Sequence, residues 1–281
     1  MITAPFDYEA PETLDAAVRM LHENGVDAKL LAGGHSLLPL MKLRLAAPIL
    51  LVDLRRVPGL HHIQRENGSW RIGAMTRHAD LQDTPELGVV ATVASHIADQ
   101  QVRNRGTIGG SLAHGDPASD LPAVLLALDG EVTAQGPNGL RTIPASELFQ
   151  DYLTTTLEHD EVITEVRLPA TDDWGYGYEK FARRAEDWAM VGVCAVVKEA
   201  ADGSCEDVRI GLTHMGSTPL RASATEAALR GQPLDADSIA RAAEQAAEGT
   251  DPPGDLNATP DYKRHLARVL TRRALEAATR A

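Results

Sequence analysis

Ala32-Gly33-Gly34-His35-Ser36 follows a short apolar segment, Lys29-Leu30-Leu31, and leads into a stretch of helical character, Leu37 to Leu45. Further along, Thr107-Ile108-Gly109-Gly110-Ser111 repeats the pattern of paired glycines among small and hydroxyl residues. Glycine lacks the Cβ that would hold a ligand away from the backbone, so successive N–H groups can converge on an anion. Each stretch is read as feeding a helix N-terminus, where unpaired N–H groups favour negative charge. The pair therefore predicts two loops clamping one dinucleotide diphosphate. Either alone reads more readily as a tight turn. Neither fits G-x-G-x-x-G or G-x-x-x-x-G-K-[ST], so Rossmann and P-loop binding are not supported.

Composition narrows the class. The 281 residues suffice for one large or two modest cores. A net charge of -13 argues against nucleic acid, which calls for a basic patch or stripe. The first residues, Met1-Ile2-Thr3-Ala4-Pro5-Phe6, show no signal-peptide pattern, and no apolar run reaches the roughly 18 residues of a membrane span. A cytoplasmic location is the expectation. Two cysteines, Cys194 and Cys205, are too few for an iron–sulfur cluster. Cys194, in the apolar run 190–197, reads as a buried small hydrophobe. No histidine spacing suggests a metal site, and His61-His62 reads as a surface pair. Any redox cofactor is therefore expected to be organic.

In chain order, 11–23 reads as a helix with Leu14, Ala17, Val18 and Leu21 on one face. Residues 29–31 and 49–54 read as strands around the first loop, with Ser36 as a helix N-cap and Pro39 in the first turn. Residues 70–75 read as a strand and 86–99 as a helix. Asp116-Pro117 suits an N-cap followed by proline, opening a helix to Leu128, with Asp120 in its first turn. Read locally, Asp120 stabilises a helix start. Residues 161–168 alternate as a strand ending at Pro169. After a polar break at 171–177, segments 178–183, 190–198 and 207–214 read as a three-stranded meander, and 222–229, 236–248 and 262–279 as helices. The last carries Lys263, Arg264, Arg268, Arg272, Arg273 and Arg280 against Glu276, as either a docking surface or a solvated face.

Ala-Gly-Gly-His-Ser-Leu-Leu-Pro-Leu-Met-Lys-Leu-Arg (32–44), Thr-Ile-Gly-Gly-Ser (107–111) and Asp-Pro-Ala-Ser-Asp (116–120) resemble the flavin-binding motifs of the FAD subunits of molybdenum hydroxylases, of carbon monoxide dehydrogenase and xanthine dehydrogenase type. The resemblance continues through 181–193, Gly-Ser-Thr-Pro-Leu-Arg-Ala (216–222) and 262–275, so it covers essentially the whole chain. It implies an α+β fold. A two-lobed, PCMH-type FAD domain (1–172, lobes about 1–56 and 57–172) would precede a small domain (176–281) with a three-stranded antiparallel sheet and helices.

By the same resemblance, Leu31, Ala32, Gly33, Gly34, His35, Ser36, Leu37 and Leu38 lie around the FAD diphosphate and ribityl, with Thr107, Ile108, Gly109, Gly110 and Ser111. Ser111 stands where many relatives carry Asn, which shortens the reach of its donor. Asp116 belongs to the second motif. Asp120 would contact sugar or ribityl hydroxyls, displacing its local reading. Ile97 and Ile163 would line the site, and Lys180 would sit near the isoalloxazine, where a cation tunes the flavin. No catalytic acid, base or nucleophile is expected of the protein.

The implied partners are a 2Fe-2S small subunit and a molybdopterin large subunit, in a dimer of heterotrimers. The large subunit would transform the substrate, and FAD, held without a covalent link, would pass electrons to NAD, a quinone or oxygen. The alternatives are a stand-alone FAD oxidase, with Tyr176, Tyr178 or His214 as its base, and an assembly scaffold without FAD.

Overall fold

The structure, a computed structural model, describes residues 2–280, so the expected domain ends at 1 and 281 lie outside the described residues. The first lobe is a small parallel sheet. Strand β1 (Asp7–Glu9), helix α1 (Leu14–Asn24), strand β2 (Ala28–Leu31), helix α2 (Leu37–Lys42) and strand β3 (Leu50–Asp53) assemble in the strand order β1-β3-β2. The periodic face of α1 lies where its spacing predicts, with Ala17, Val18 and Leu21 buried against Ala28, Leu50 and Val52. Thr13 caps it by accepting from the Ala16 N–H. Helix α2 is shorter than expected, and the Ser36 hydroxyl makes no capping bond. Ser36 already has helical φ and ψ (-101°, -51°), which turns its side chain away from the capping position.

The second lobe is built on an antiparallel sheet of five strands, β4 (Ile63–Glu66), β5 (Ser69–Gly73), β6 (Glu131–Gly136), β7 (Gly139–Pro144) and β10 (Val162–Pro169), in the order β4-β5-β10-β6-β7. Helices α3 (His78–Gln82), α4 (Val89–Ser95), α5 (Gln100–Arg103), α6 (Ile108–His114), α7 (Asp120–Ala127) and α8 (Ala145–Leu148) and the ribbon of β8 (Phe149–Asp151) with β9 (Thr154–Thr155) complete it. The expected helix over 86–99 is confined to α4, because Gly88 at φ +59° separates it from a turn of 3₁₀ helix and Ala98 at φ +44° lies beyond its end. Strand β10 has a register shift between Ile163 and Glu165. Adjacent Val162 and Ile163 point to opposite faces, Val162 into the core of the first lobe and Ile163 into that of the second, and the bulge after Ile163 puts it on the same face as Val166 and Leu168.

The remaining strands are β11 (Gly175–Phe181), β12 (Val191–Glu199), β13 (Cys205–Thr213) and the short β14 (Leu220–Arg221), in that order, making four strands rather than the expected three. The two residues of β14 are too few to show a strand periodicity, and they pair only with Gly211 and Leu212. Helices α9 (Ser223–Leu229), α10 (Ala236–Ala243) and α11 (Pro260–Ala278) cover one face; α4 and α7 cover the other. A sheet buried on both faces needs strands apolar on both, which is the sequence of β12, Val191-Gly192-Val193-Cys194-Ala195-Val196-Val197. Glycine allows the helices their close approach. A Cβ at Gly177 would overlap the Ala274 carbonyl of α11, and one at Gly211 the Ala123 carbonyl of α7.

Lys263, expected on the charged face of the last helix, is instead fully buried. Its ammonium donates to Asp255 at 2.8 Å and lies 3.3 Å from His214 Nε2. Arg264, Arg268, Arg272 and Arg280 face outward and pair with nearby carboxylates. That face is largely charge-balanced.

Candidate functional site

The two glycine stretches meet. A Cβ on Gly33 would overlap the carbonyl oxygen of Arg105 and come within 2.7 Å of the Gly106 Cα, so only glycine lets the first loop lie on the segment leading to the second. Between them opens a cleft of about 810 Å³. Its walls include Ala32, Gly33, Gly34, His35, Ser36 and Leu37 from the first loop and Thr107, Gly109, Gly110 and Ser111 from the second stretch. Ile97, Ile163, Asp120 and Lys180 line it further along.

The two stretches differ in what they offer. Among the described residues, the N–H groups of Gly33, Gly34, His35 and Ser36 find no acceptor in the chain. Four consecutive free donors beside a cleft are suited to an anion. The second stretch is not a loop. Gly109 and Gly110 lie in the first turn of α6, behind Thr107 as N-cap. Their donors are spent within the fold. Ile108 N–H bonds Thr76 O at 3.0 Å, Gly109 N–H bonds Ala74 O at 2.9 Å, and Gly110 N–H bonds Thr107 Oγ1 at 3.2 Å. The expected two-sided clamp is thus a one-sided nest facing a close-packed helix start. A Cβ at Gly109 would come within 2.5 Å of the Ala74 Cβ, so this glycine serves internal packing.

Four residues that the motifs suggested lie elsewhere. Leu31 packs with Met41 and Leu51, and Ile108 lies in the main core. Leu38 is partly exposed, with its side chain near the Gly34 Cα position. Asp116 accepts from the Ala118 N–H at 2.9 Å, so it closes a turn before the helix. The expected helix start at Asp116-Pro117 is correspondingly displaced, with Ser119 in the N-cap position and Asp120 as the first helical residue.

Asp120 joins two parts of the fold. Its Oδ1 accepts from the Tyr178 hydroxyl at 2.6 Å and its Oδ2 from Lys180 Nζ at 2.9 Å, both on β11. Lys180 Nζ also donates to the His96 carbonyl at 3.1 Å. All three side chains are buried, and the His96 ring meets the Tyr178 ring edge-on at 5.5 Å. Burial pushes the Asp120 carboxyl above its usual range, against the opposing pull of Lys180 and the Tyr178 hydroxyl. Burial and the Asp120 charge push the Tyr178 phenol well above its ordinary value. Lys180 therefore reaches the cleft as half of an ion pair rather than as a bare cation.

Sequence reasoning missed His78, at the start of α3. It lines the cleft and is 5% exposed, and its Nδ1 is buried without a partner. No motif marks it, since it is brought in by the His78 N–H bond to Gly106 O. The candidate bases of a stand-alone oxidase are otherwise engaged. Tyr178 is bound to Asp120, His214 Nδ1 to the Ala189 carbonyl at 2.9 Å, and neither they nor Tyr176 line the cleft. His61 and His62 pair with Asp80 and Glu165.

Residues 4–171 match the family described as the FAD binding domain in molybdopterin dehydrogenase, and residues 176–278 match the CO dehydrogenase flavoprotein C-terminal domain. The chain belongs to the FAD-binding medium subunits of the molybdenum hydroxylases. It is 44% identical to the carbon monoxide dehydrogenase medium chain of Hydrogenophaga pseudoflava, over 99% of this chain and 98% of that one. It is 40% identical to the 6-hydroxypseudooxynicotine dehydrogenase complex subunit alpha of Paenarthrobacter nicotinovorans, over 96% and 93%. The solved carbon monoxide dehydrogenase from H. pseudoflava superposes with a TM-score of 0.96, covering 100% of this chain and 99% of that one.

As a medium subunit of this family, the chain is an FAD-dependent oxidoreductase subunit. The cleft fits FAD on chemical grounds. Unpartnered N–H groups at Gly33 to Ser36 suit a diphosphate, while apolar Ile97 and Ile163 suit a ring system. No helix among the described residues is long and apolar enough to cross a membrane.

Proposed function

We propose that this chain holds FAD in the cleft between its glycine stretches and relays electrons within a molybdenum hydroxylase complex. The electrons arrive from the 2Fe-2S clusters of a small partner subunit and leave for an external acceptor. The substrate is transformed on a molybdopterin-bearing large subunit, and the assembly is a dimer of heterotrimers in the cytoplasm. The chain is read as an FAD domain over 1–172, in lobes of about 1–56 and 57–172, followed by a C-terminal domain over 176–281.

The observation that carries this reading is the row of unpartnered N–H groups at Gly33 to Ser36, beside a cleft in a chain matched end to end by medium subunits. Both cysteines are buried, and burial pushes the Cys194 thiol up to about 12, so neither is disposed to hold a cluster. The clusters would therefore belong to a partner. Relatives of nearly equal similarity are named for different substrates, which fits a substrate chosen outside this subunit.

The redox chemistry is that of the bound flavin, and the chain's residues supply position and field. The N–H groups of Gly33, Gly34, His35 and Ser36 would hold the diphosphate. Ser36 and Ser111 add hydroxyls on the cleft wall. Ile97 and Ile163 would keep water from the ring. Each Asp120 oxygen accepts one bond within the chain, which leaves lone pairs for a sugar or ribityl hydroxyl. Lys180, fixed by Asp120 and the His96 carbonyl, would present a positioned dipole to the ring.

The test is purification of the chain with its associated subunits. Flavin and 2Fe-2S absorption in one complex, with flavin bleaching when the molybdenum subunit's substrate is added, is the expected result. Turnover of an organic substrate by the chain and FAD alone would overturn the relay.

A further inference from the structure

His78 is a buried side chain that the fold does not explain. Its ring is 5% exposed, and Nδ1 is sealed in the interior without a hydrogen bond. A buried polar atom left unpaired costs on the order of 1–3 kcal/mol and calls for a reason. The ring lines the cleft, and because Nδ1 is sealed, Nε2 is the nitrogen available to the cavity. The chain shapes itself to that edge. A Cβ on Gly106 would come within 2.7 Å of His78 Cδ2 and 2.8 Å of Nε2, so only glycine leaves the imidazole in place. Gly106 is also part of the floor on which Gly33 packs.

The surroundings decide the charge. Facing His78 are His35 on the first loop and the Arg103 guanidinium on α5, with burial the larger influence. Arg103 is itself tied to the Ile97 and Ala98 carbonyls. On α3, Asp80 is committed to His61 and to the Arg77 N–H, and α4, packed against α3, carries no ionisable side chain. Glu86 lies on the 3₁₀ turn packed against α3, and among the described residues no carboxylate is a main influence on the ring. Its conjugate acid is held down to about 4, so it is neutral near pH 7 in the free chain. An anion entering the cleft reverses that balance.

We propose that His78 is a proton-linked ligand of the FAD diphosphate, taking one proton from solvent as the dinucleotide enters and donating from Nε2. The inference rests on the cleft being the FAD site. In a chain of net charge -13 it adds a positive charge, beside that of Arg103, as the phosphates arrive. Linkage gives the sign. A group whose pKa is higher in the complex than in the free chain favours binding at lower pH. Affinity should rise tenfold per pH unit on descending from the complex's pKa toward about 4, and be flat above that window.

The full chain, with any subunits that copurify, is stripped of flavin and titrated with FAD between pH 5.5 and 8 by fluorescence quenching. Calorimetry in buffers of different ionisation enthalpy counts the protons taken up. The expected results are uptake approaching one proton at the acid end and a tenfold-per-unit slope, lost in His78→Gln but kept in His35→Gln. The calorimetric count needs no variant, so a His78→Gln chain that fails to fold leaves the test intact. FAD binding without proton uptake, or an unchanged slope in His78→Gln, overturns the role of His78 while sparing the FAD site. Failure of FAD to bind at every pH removes both.

Discussion

The Asp120 carboxylate and the Lys180 ammonium meet at 2.9 Å, both buried, and join the start of α7 to the first strand of the C-terminal sheet. The cleft wall thus depends on both parts of the chain. Removing the lysine leaves a buried carboxylate that must be protonated or hydrated. Lys180→Met is expected to cost about 3–5 kcal/mol, the range for breaking one side of a buried pair. Asp120→Asn should cost less in the Lys180→Met background than alone, because the orphaned charge is gone. Urea denaturation of the two single variants and the double variant checks this; additive costs would mean the pair does not couple.

Gly33→Ala forces a methyl group onto the Arg105 carbonyl, which is backbone and cannot rotate away. The loops must part. A cost of about 1–3 kcal/mol is expected for such overpacking, together with a lower flavin-to-protein absorbance ratio after gel filtration. Gly25→Ala has a positive φ of +55° but nothing within 4 Å of the new Cβ. It should lower stability without changing flavin content. Equal flavin loss in both variants would refute the packing explanation.

His78 also predicts an acid-labile apo chain. Burial holds its pKa down to about 4 in the folded chain, against an ordinary value of 6.5. Above pH 6.5 both states are neutral and the residue contributes nothing to the pH dependence. Below that, the unfolded chain takes the proton first, so stability falls as pH falls from 6.5 to 4, by at most about 3 kcal/mol at 1.36 kcal/mol per unit. His78→Gln should flatten that part of the stability profile, measured as denaturation midpoints across the range.

Gly177→Ala would drive a Cβ into the Ala274 carbonyl of α11. The helix must shift, and a loss of about 1–3 kcal/mol is expected, read as a lower thermal midpoint. Gly203→Ala, at φ +81° with only the Glu199 carboxylate 3.7 Å away, strains the backbone but displaces no helix. Only the Gly177 variant should increase proteolysis within α11.

The two glycine motifs, the apolar face of α1 and the doubly apolar run of β12 were legible because local spacing and composition carry them. So was the FAD family, whose motifs are short and contiguous. Asp116 shows the limit. Its pattern, Asp-Pro, is shared by a helix cap and by a simple turn, and only the bond to the Ala118 N–H distinguishes them. Lys263 shows another. A lysine in a basic stretch reads as solvated, yet Asp255 and His214 supply partners that allow it to be buried.

From the residues alone came the diphosphate-binding reading and the positions around which the cleft is built, since these depend on backbone freedom and side-chain type at fixed local spacing; the class of protein and FAD came from the resemblance of those motifs to a known family. Tertiary structure decided how those positions divide the work. The donors of Ile108 and Gly109 are taken by Thr76 and Ala74, distant in sequence, while those of Gly33 to Ser36 remain free. The same packing seals His78 beside the cleft and neutralises Lys180 with Asp120. Whether a donor, a charge or a ring nitrogen is available depends on what folds against it, and those neighbours come from remote parts of the chain.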